Sequence, residues 1–171
     1  SFTVSYGFKL PFINKNLPSF WWRNNASVHQ NFNFTIEKIG EWVKDKYVEE
    51  VKERPLHISP LTVARRTTVT DEIKLRLCLD ASYLNNLMLT ESSKLPNFEL
   101  HEGLINKNDW MVTLVLSNCY FHVKLHDKVA FAFPKSNSKN ETEYNYYVIK
   151  ILVYNLKSAS LIISIWTKPL M

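Results

Sequence analysis

Glycine is nearly absent: three residues in 171, where an ordinary domain carries roughly 7%. Turns that need positive φ must therefore be few, fall to asparagine, or be broken. The same shortage excludes a collagen-like chain and a dinucleotide-binding glycine loop. Cysteine is equally scarce. Cys78 and Cys119 are the only thiols, which excludes a disulfide-stapled miniprotein and a cysteine-only zinc site. Both stand in apolar runs, where a buried free thiol is the ordinary outcome. The five histidines, His29, His57, His101, His122 and His126, form no metal-binding spacing. His122 and His126 are four apart, yet the residues around them read as strand. Long hydrophobic runs are missing too: Lys150, Asn155, Lys157 and Lys168 interrupt the most apolar stretches, well short of a membrane span. No signal-type leader opens the chain, and an intracellular protein, cytoplasmic or nuclear, is expected. The three sequons at Asn25, Asn33 and Asn140 are near chance for sixteen asparagines.

What is present suffices for a core. Apolar residues make up 46% and aromatics 13%, too rich for a disordered chain. Lys and Arg number 21 against 16 Asp and Glu, a net charge of +5, which permits an anionic partner without demanding one. The start at Ser1 and the apolar pattern still running at Met171 are read as those of a fragment or processed piece.

The first thirty residues read as an extended arm. Pro11, Pro18, Phe8, Leu10, Phe12, Ile13 and the Phe20-Trp21-Trp22 cluster suit a chain laid over an apolar surface of its own domain or of a partner. From Thr35 the period changes. Ile36, Ile39, Val43, Tyr47, Val48 and Val51 recur every three or four residues, predicting an amphipathic helix capped by Thr35 and ended by Pro55. Ser59–Arg66 and Lys74–Asp80 read as two strands of a hairpin around a turn at Thr67–Glu72. Arg65, Arg66, Lys74 and Arg76 make it the most basic local feature: either a solvated face or a polyanion contact. Ala81–Leu89 suits a helix, Trp110–Leu116 a central strand, Val129–Phe133 a short strand and Tyr144–Tyr154 the clearest strand of all. Lys157–Met171 is predicted helical.

The order of these features resembles the hand of retroelement reverse transcriptases. Ser59-Pro60-Leu61-Thr62-Val63, then Arg76-Leu77-Cys78-Leu79-Asp80, then Tyr83-Leu84-Asn85 is similar to the fingers series N-P-L, R-x-C-x-D and Y/R-x-L-N. Val112–Val123 looks like the first palm motif, and Tyr147–Leu170 like the segment holding the proline-phenylalanine-glycine-leucine turn. The arm Gly7–Phe12 and Arg23–Ser27 resembles the lead-in of tyrosine-recombinase-type non-retroviral elements. The resemblance implies an α+β fold: fingers and an incomplete palm of a right-hand polymerase, the palm an antiparallel sheet backed by helices. It divides the chain into an arm at 1–34, a fingers-like region at 35–100 and a partial palm at 101–171.

Active members of that family perform two-metal nucleotidyl transfer with two magnesium ions held by carboxylates. The first palm aspartate is expected five residues before the aromatic Tyr120, where this chain has Val115. An isopropyl group offers a hard cation no oxygen. Asp109, six residues earlier, lies on the order of 20 Å away along an extended strand. Within these residues no paired-aspartate hairpin follows. The expectation is thus a degenerate chain with no catalytic residue, no cofactor and no metal. The family's sites carry over as vestiges. Arg76 matches the arginine that meets the incoming triphosphate, with Arg65, Arg66 or Lys74 as its companion cation. Tyr120 matches the aromatic beneath the sugar, and Asp80 the structural acid that closes the fingers motif. Asn155 stands where the family has glycine, able to hold positive φ, and Lys157 is placed to meet a nucleic-acid phosphate. Expected partners are an RNA or DNA backbone, and either a second copy or a missing C-terminal palm and thumb along an open sheet edge near Val112–Leu116; no membrane is expected. Two alternatives stand beside this reading: a recruited non-catalytic nucleic-acid- or protein-binding module, and a polymerase completed by residues outside the chain.

Overall fold

The computed structural model describes residues 7–14, 16–68, 71–89, 107–110, 118–136, 143–160 and 162–163. Strand β1 (Phe20–Trp21) leads into helices α1 (Ala26–Gln30) and α2 (Phe32–Lys44). Strands β2 (Val48–Val51), β3 (His57–Ile58), β4 (Leu61–Thr67) and β5 (Ile73–Leu79) follow, then α3 (Ser82–Asn86). A 3₁₀ turn (Cys119–His122) precedes the long strands β6 (Lys124–Pro134) and β7 (Tyr144–Ile151). A mixed α+β fold results, with two sheets. The larger has the order β1-β3-β6-β7-β2 and the smaller is the β4–β5 hairpin.

The larger sheet departs from the antiparallel expectation. β1 runs parallel to β3, and β3 to β6, whereas β6–β7 and β7–β2 are antiparallel. The parallel strands are only two residues long and leave no period-2 signal in the sequence. Register decides which side chains form the core. Val129 faces Ile149 and Phe131 faces Tyr147 across β6–β7, so their apolar side chains line one face. α2 covers that face: Phe32 stacks on Phe133 at 5.0 Å and Trp42 meets Phe131 edge-on at 6.3 Å.

The helix predicted from Thr35 to Pro55 is shorter and turned on its axis. Its inward side is Phe32, Thr35, Ile39 and Trp42, while Ile36 and Val43 stay exposed at 48% and 38%. The aromatic rings at 32 and 42 bury more area than the aliphatic positions and decide which face packs. Thr35 is no cap. It lies buried inside the helix and its hydroxyl donates to the Asn31 carbonyl at 3.0 Å. The stop comes at Lys46, whose φ is 60°. Its N–H bonds Val43 O at 3.1 Å and that of Tyr47 bonds Trp42 O at 2.8 Å, the paired bonds of a Schellman ending with lysine in the usual glycine position. Residues 48–51 then pair with β7 as strand β2 instead of continuing the helix.

The shortage of glycine is met in the same way elsewhere: Asp71, Asn108 and Asn118 also take positive φ. Gly7 is the exception that needs to be glycine. Its φ is +83°, and a Cβ there would lie 2.9 Å from the Leu125 carbonyl carbon. The chain beyond it packs on its own domain. Phe8 N bonds Lys124 O at 2.7 Å, Ile13 N bonds Leu87 O at 2.9 Å, and Leu10 is buried. The segment is not extended throughout, since Ala26–Gln30 is helical. Among the described residues no helix is long and apolar enough to cross a membrane.

Candidate nucleic-acid interface

Alternation along an antiparallel hairpin sorts the four candidate cations. Arg66 pairs directly with Lys74, Ala64 with Arg76, and Arg65 with Leu75. Side chains of one pair share a face, and the face switches at each step. Arg66, Lys74 and Arg76 therefore stand together on one face, and Arg65 stands on the other with Leu75 and Leu77. All four cations are exposed, and none forms a salt bridge among the described residues. Like charges directly opposite each other destabilise a strand pair, so this face carries a cost that a bound anion would offset.

The hairpin is rigid at its root. The Asn24 amide donates to Ala132 O at 2.9 Å while its oxygen accepts Leu61 N–H, also at 2.9 Å. Ser27 Oγ accepts Val63 N–H at 2.9 Å. On the β5 side, the Asn155 amide donates to Leu79 O at 2.9 Å. The Asn85 amide donates to Asn155 O, and Asn85 Oδ1 accepts Lys157 N–H, both at 2.8 Å. Asn85 thus ties the turn at residues 153–157 to α3, while Asn155 ties it to the end of β5.

Tyr154 projects from that turn. Its ring lies 4.5 Å from Tyr120 and 5.5 Å from Phe121, centroid to centroid. Partial burial, with Cys119 and Tyr120 close by, pushes the Tyr154 phenol above its ordinary range, and the Arg76 charge opposes that rise. Burial likewise raises the Cys78 thiol, again opposed by Arg76. The Arg76 charge is thus felt at both the Cys78 thiol and the Tyr154 phenol. Asp80, at the end of β5, is already engaged. Its Oδ1 accepts the Ser82 hydroxyl at 2.5 Å and the Ser82 N–H at 3.0 Å, and these bonds hold the carboxyl below its usual range.

Several expectations change in detail. Asn155 is not among the residues at positive φ. What it adds in place of glycine is a side-chain bond to β5. Arg65 does not join the face of Arg66, Lys74 and Arg76. Tyr154 and Asn85 turn out to be organising residues. Tyr154 was hidden inside a predicted strand that ends at Ile151, and Asn85 was visible only as part of a motif. Lys157 enters the cluster through its backbone N–H. Val115 lies outside the described residues, as does the predicted strand around it except Trp110, which is exposed and not in a strand.

A two-magnesium site needs several oxygen ligands around each ion. Valine at position 115 supplies none, and no group of three or more His, Cys, Asp or Glu is placed to hold a metal among the described residues. No family model matches the chain, and no curated protein matches it either.

Proposed function

We propose that this chain is a degenerate reverse transcriptase-like hand that has lost nucleotidyl transfer and keeps a surface for the phosphate backbone of a polynucleotide. The observation that carries this reading is the β4–β5 register, which sets Arg66 against Lys74 with Arg76 on the same face and, among the described residues, no acid paired to any of them. A hairpin selected for stability alone would alternate the signs. Loss of catalysis follows from Val115, whose side chain cannot ligate magnesium.

The test is a binding titration with a labelled oligonucleotide across a salt series, alongside primer extension with magnesium. Affinity falls steeply with salt, and replacing Arg66, Lys74 and Arg76 together with alanine flattens that dependence by about three contacts. Unchanged binding by the triple variant, or magnesium-dependent extension by the chain alone, overturns the proposal.

A further inference from the structure

Bonds from Phe20 N to Leu56 O at 2.9 Å and from Trp22 N to Ile58 O at 3.0 Å fix the main chain around β1 beside β3. Successive side chains of an extended segment point to opposite sides, so Phe20 and Trp22 share one side and Trp21 takes the other. Tyr83 of α3 joins the first pair, 4.6 Å from Phe20 and 5.6 Å from Trp22. The three rings differ in one respect. Trp22 keeps 49% of its surface in water, whereas Phe20 is partly buried and touches His57 as well.

Trp21 shows what a fully engaged indole looks like in the same strand. Arg54 sits over its ring at 4.4 Å, and Tyr144 and Tyr146 meet it edge-on at 5.0 and 6.0 Å. Among the described residues no cation sits over Trp22 in this way. The next residue, Arg23, is exposed and has no salt bridge among the described residues. Asn24 and Asn25 then bond Leu61 at the root of the basic hairpin. A backbone-anchored, half-exposed indole, followed in the chain by an exposed arginine, thus stands next to the segment that anchors the root of the basic hairpin.

We propose that Trp22, braced by Tyr83, stacks an unpaired nucleobase while Arg23 meets the neighbouring phosphate. The inference rests on the polynucleotide reading above and narrows the ligand to a single strand. In a duplex both faces of an internal base are covered by its neighbours, and only an unpaired base offers a free π-face to an aromatic platform. Stacking also tolerates any base, so little sequence preference is expected.

The probe is oligo(dT) of about 12 nucleotides, within the site sizes of single-strand binders, compared with the same length as a dA·dT duplex. Trp22→Ala lowers single-strand affinity about tenfold, leaves duplex affinity unchanged and leaves the salt slope unchanged. Trp22→Phe, which keeps a ring, retains most of the affinity and guards against a loss caused by misfolding. Arg23→Ala reduces the salt slope by about one contact. If Trp22→Ala binds oligo(dT) like the parent while the triple hairpin variant loses it, the stacking proposal falls and the polynucleotide reading stands. Equal losses on single strand and duplex, or an equal loss for Trp22→Phe, also overturn it. Absence of any binding at low salt removes both readings.

Discussion

The five-stranded sheet and the β4–β5 hairpin use the same pairing chemistry for different ends. In the sheet, register sets Phe131 against Tyr147 and Val129 against Ile149, and each of these side chains is buried. In the hairpin, register sets Arg66 against Lys74, and β4 is exposed from Ala64 to Thr67. Ile73, at the far end of β5, is 59% exposed. The first arrangement gains its stability from area removed from water. The second forgoes that gain and spaces charges along an outlying ribbon, which is held chiefly at its root by Asn24, Ser27 and Asn155. One region maintains the fold, and the other is free to meet a partner.

Mutations sharpen this division. Phe131→Ala removes a ring with no exposure that stacks on Tyr147 at 5.1 Å, and costs about 3–5 kcal/mol in denaturant unfolding. Ile73→Ala at the hairpin tip, measured alongside, stays within about 0.5 kcal/mol. A similar cost for both would erase the contrast. Asn85→Ala breaks both bonds that hold the 153–157 turn to α3. The site is exposed, so water takes over much of the bonding and the loss is about 1 kcal/mol, with faster amide exchange at Lys157. No change in that exchange would show that the turn is held by its other contacts. Lys74→Glu has a small effect on stability and acts in the opposite direction. Replacing a like-charge pair by an opposite one stabilises the hairpin by roughly 0.2–1 kcal/mol, while polynucleotide affinity at low salt falls. Destabilisation would mean that the facing cations carry no cost.

The hairpin was legible in the sequence because alternation is a strong local signal: the strands predicted at Ser59–Arg66 and Lys74–Asp80 are observed at Leu61–Thr67 and Ile73–Leu79. The aromatic and β-branched run that became β7 was legible for the same reason. The end of α2 was not, since nothing in the lysine side chain announces positive φ at Lys46, and the apolar period ran on through Tyr47 and Val51 into a strand. The facing of α2 was misjudged because spacing counts apolar positions without weighing ring area. At the site, residue types identified Arg66, Lys74 and Arg76, but only the cross-strand register separated them from Arg65. The turn bearing Tyr154 and Asn155 depends on Asn85, some 70 residues away, a tertiary tie that no local pattern encodes.

The open side of β4 has a consequence of its own. Among the described residues this strand pairs only with β5, and the α1 side covers it no further than Val63. Beyond that point its peptide groups offer a template on which another chain can add a strand, and Arg65 and Arg66 are the gatekeepers there. Two copies brought edge to edge would set these arginines against their like and repel each other. A polyanion that neutralised them would lift this guard as it bound, leaving the edge open to pairing with another copy.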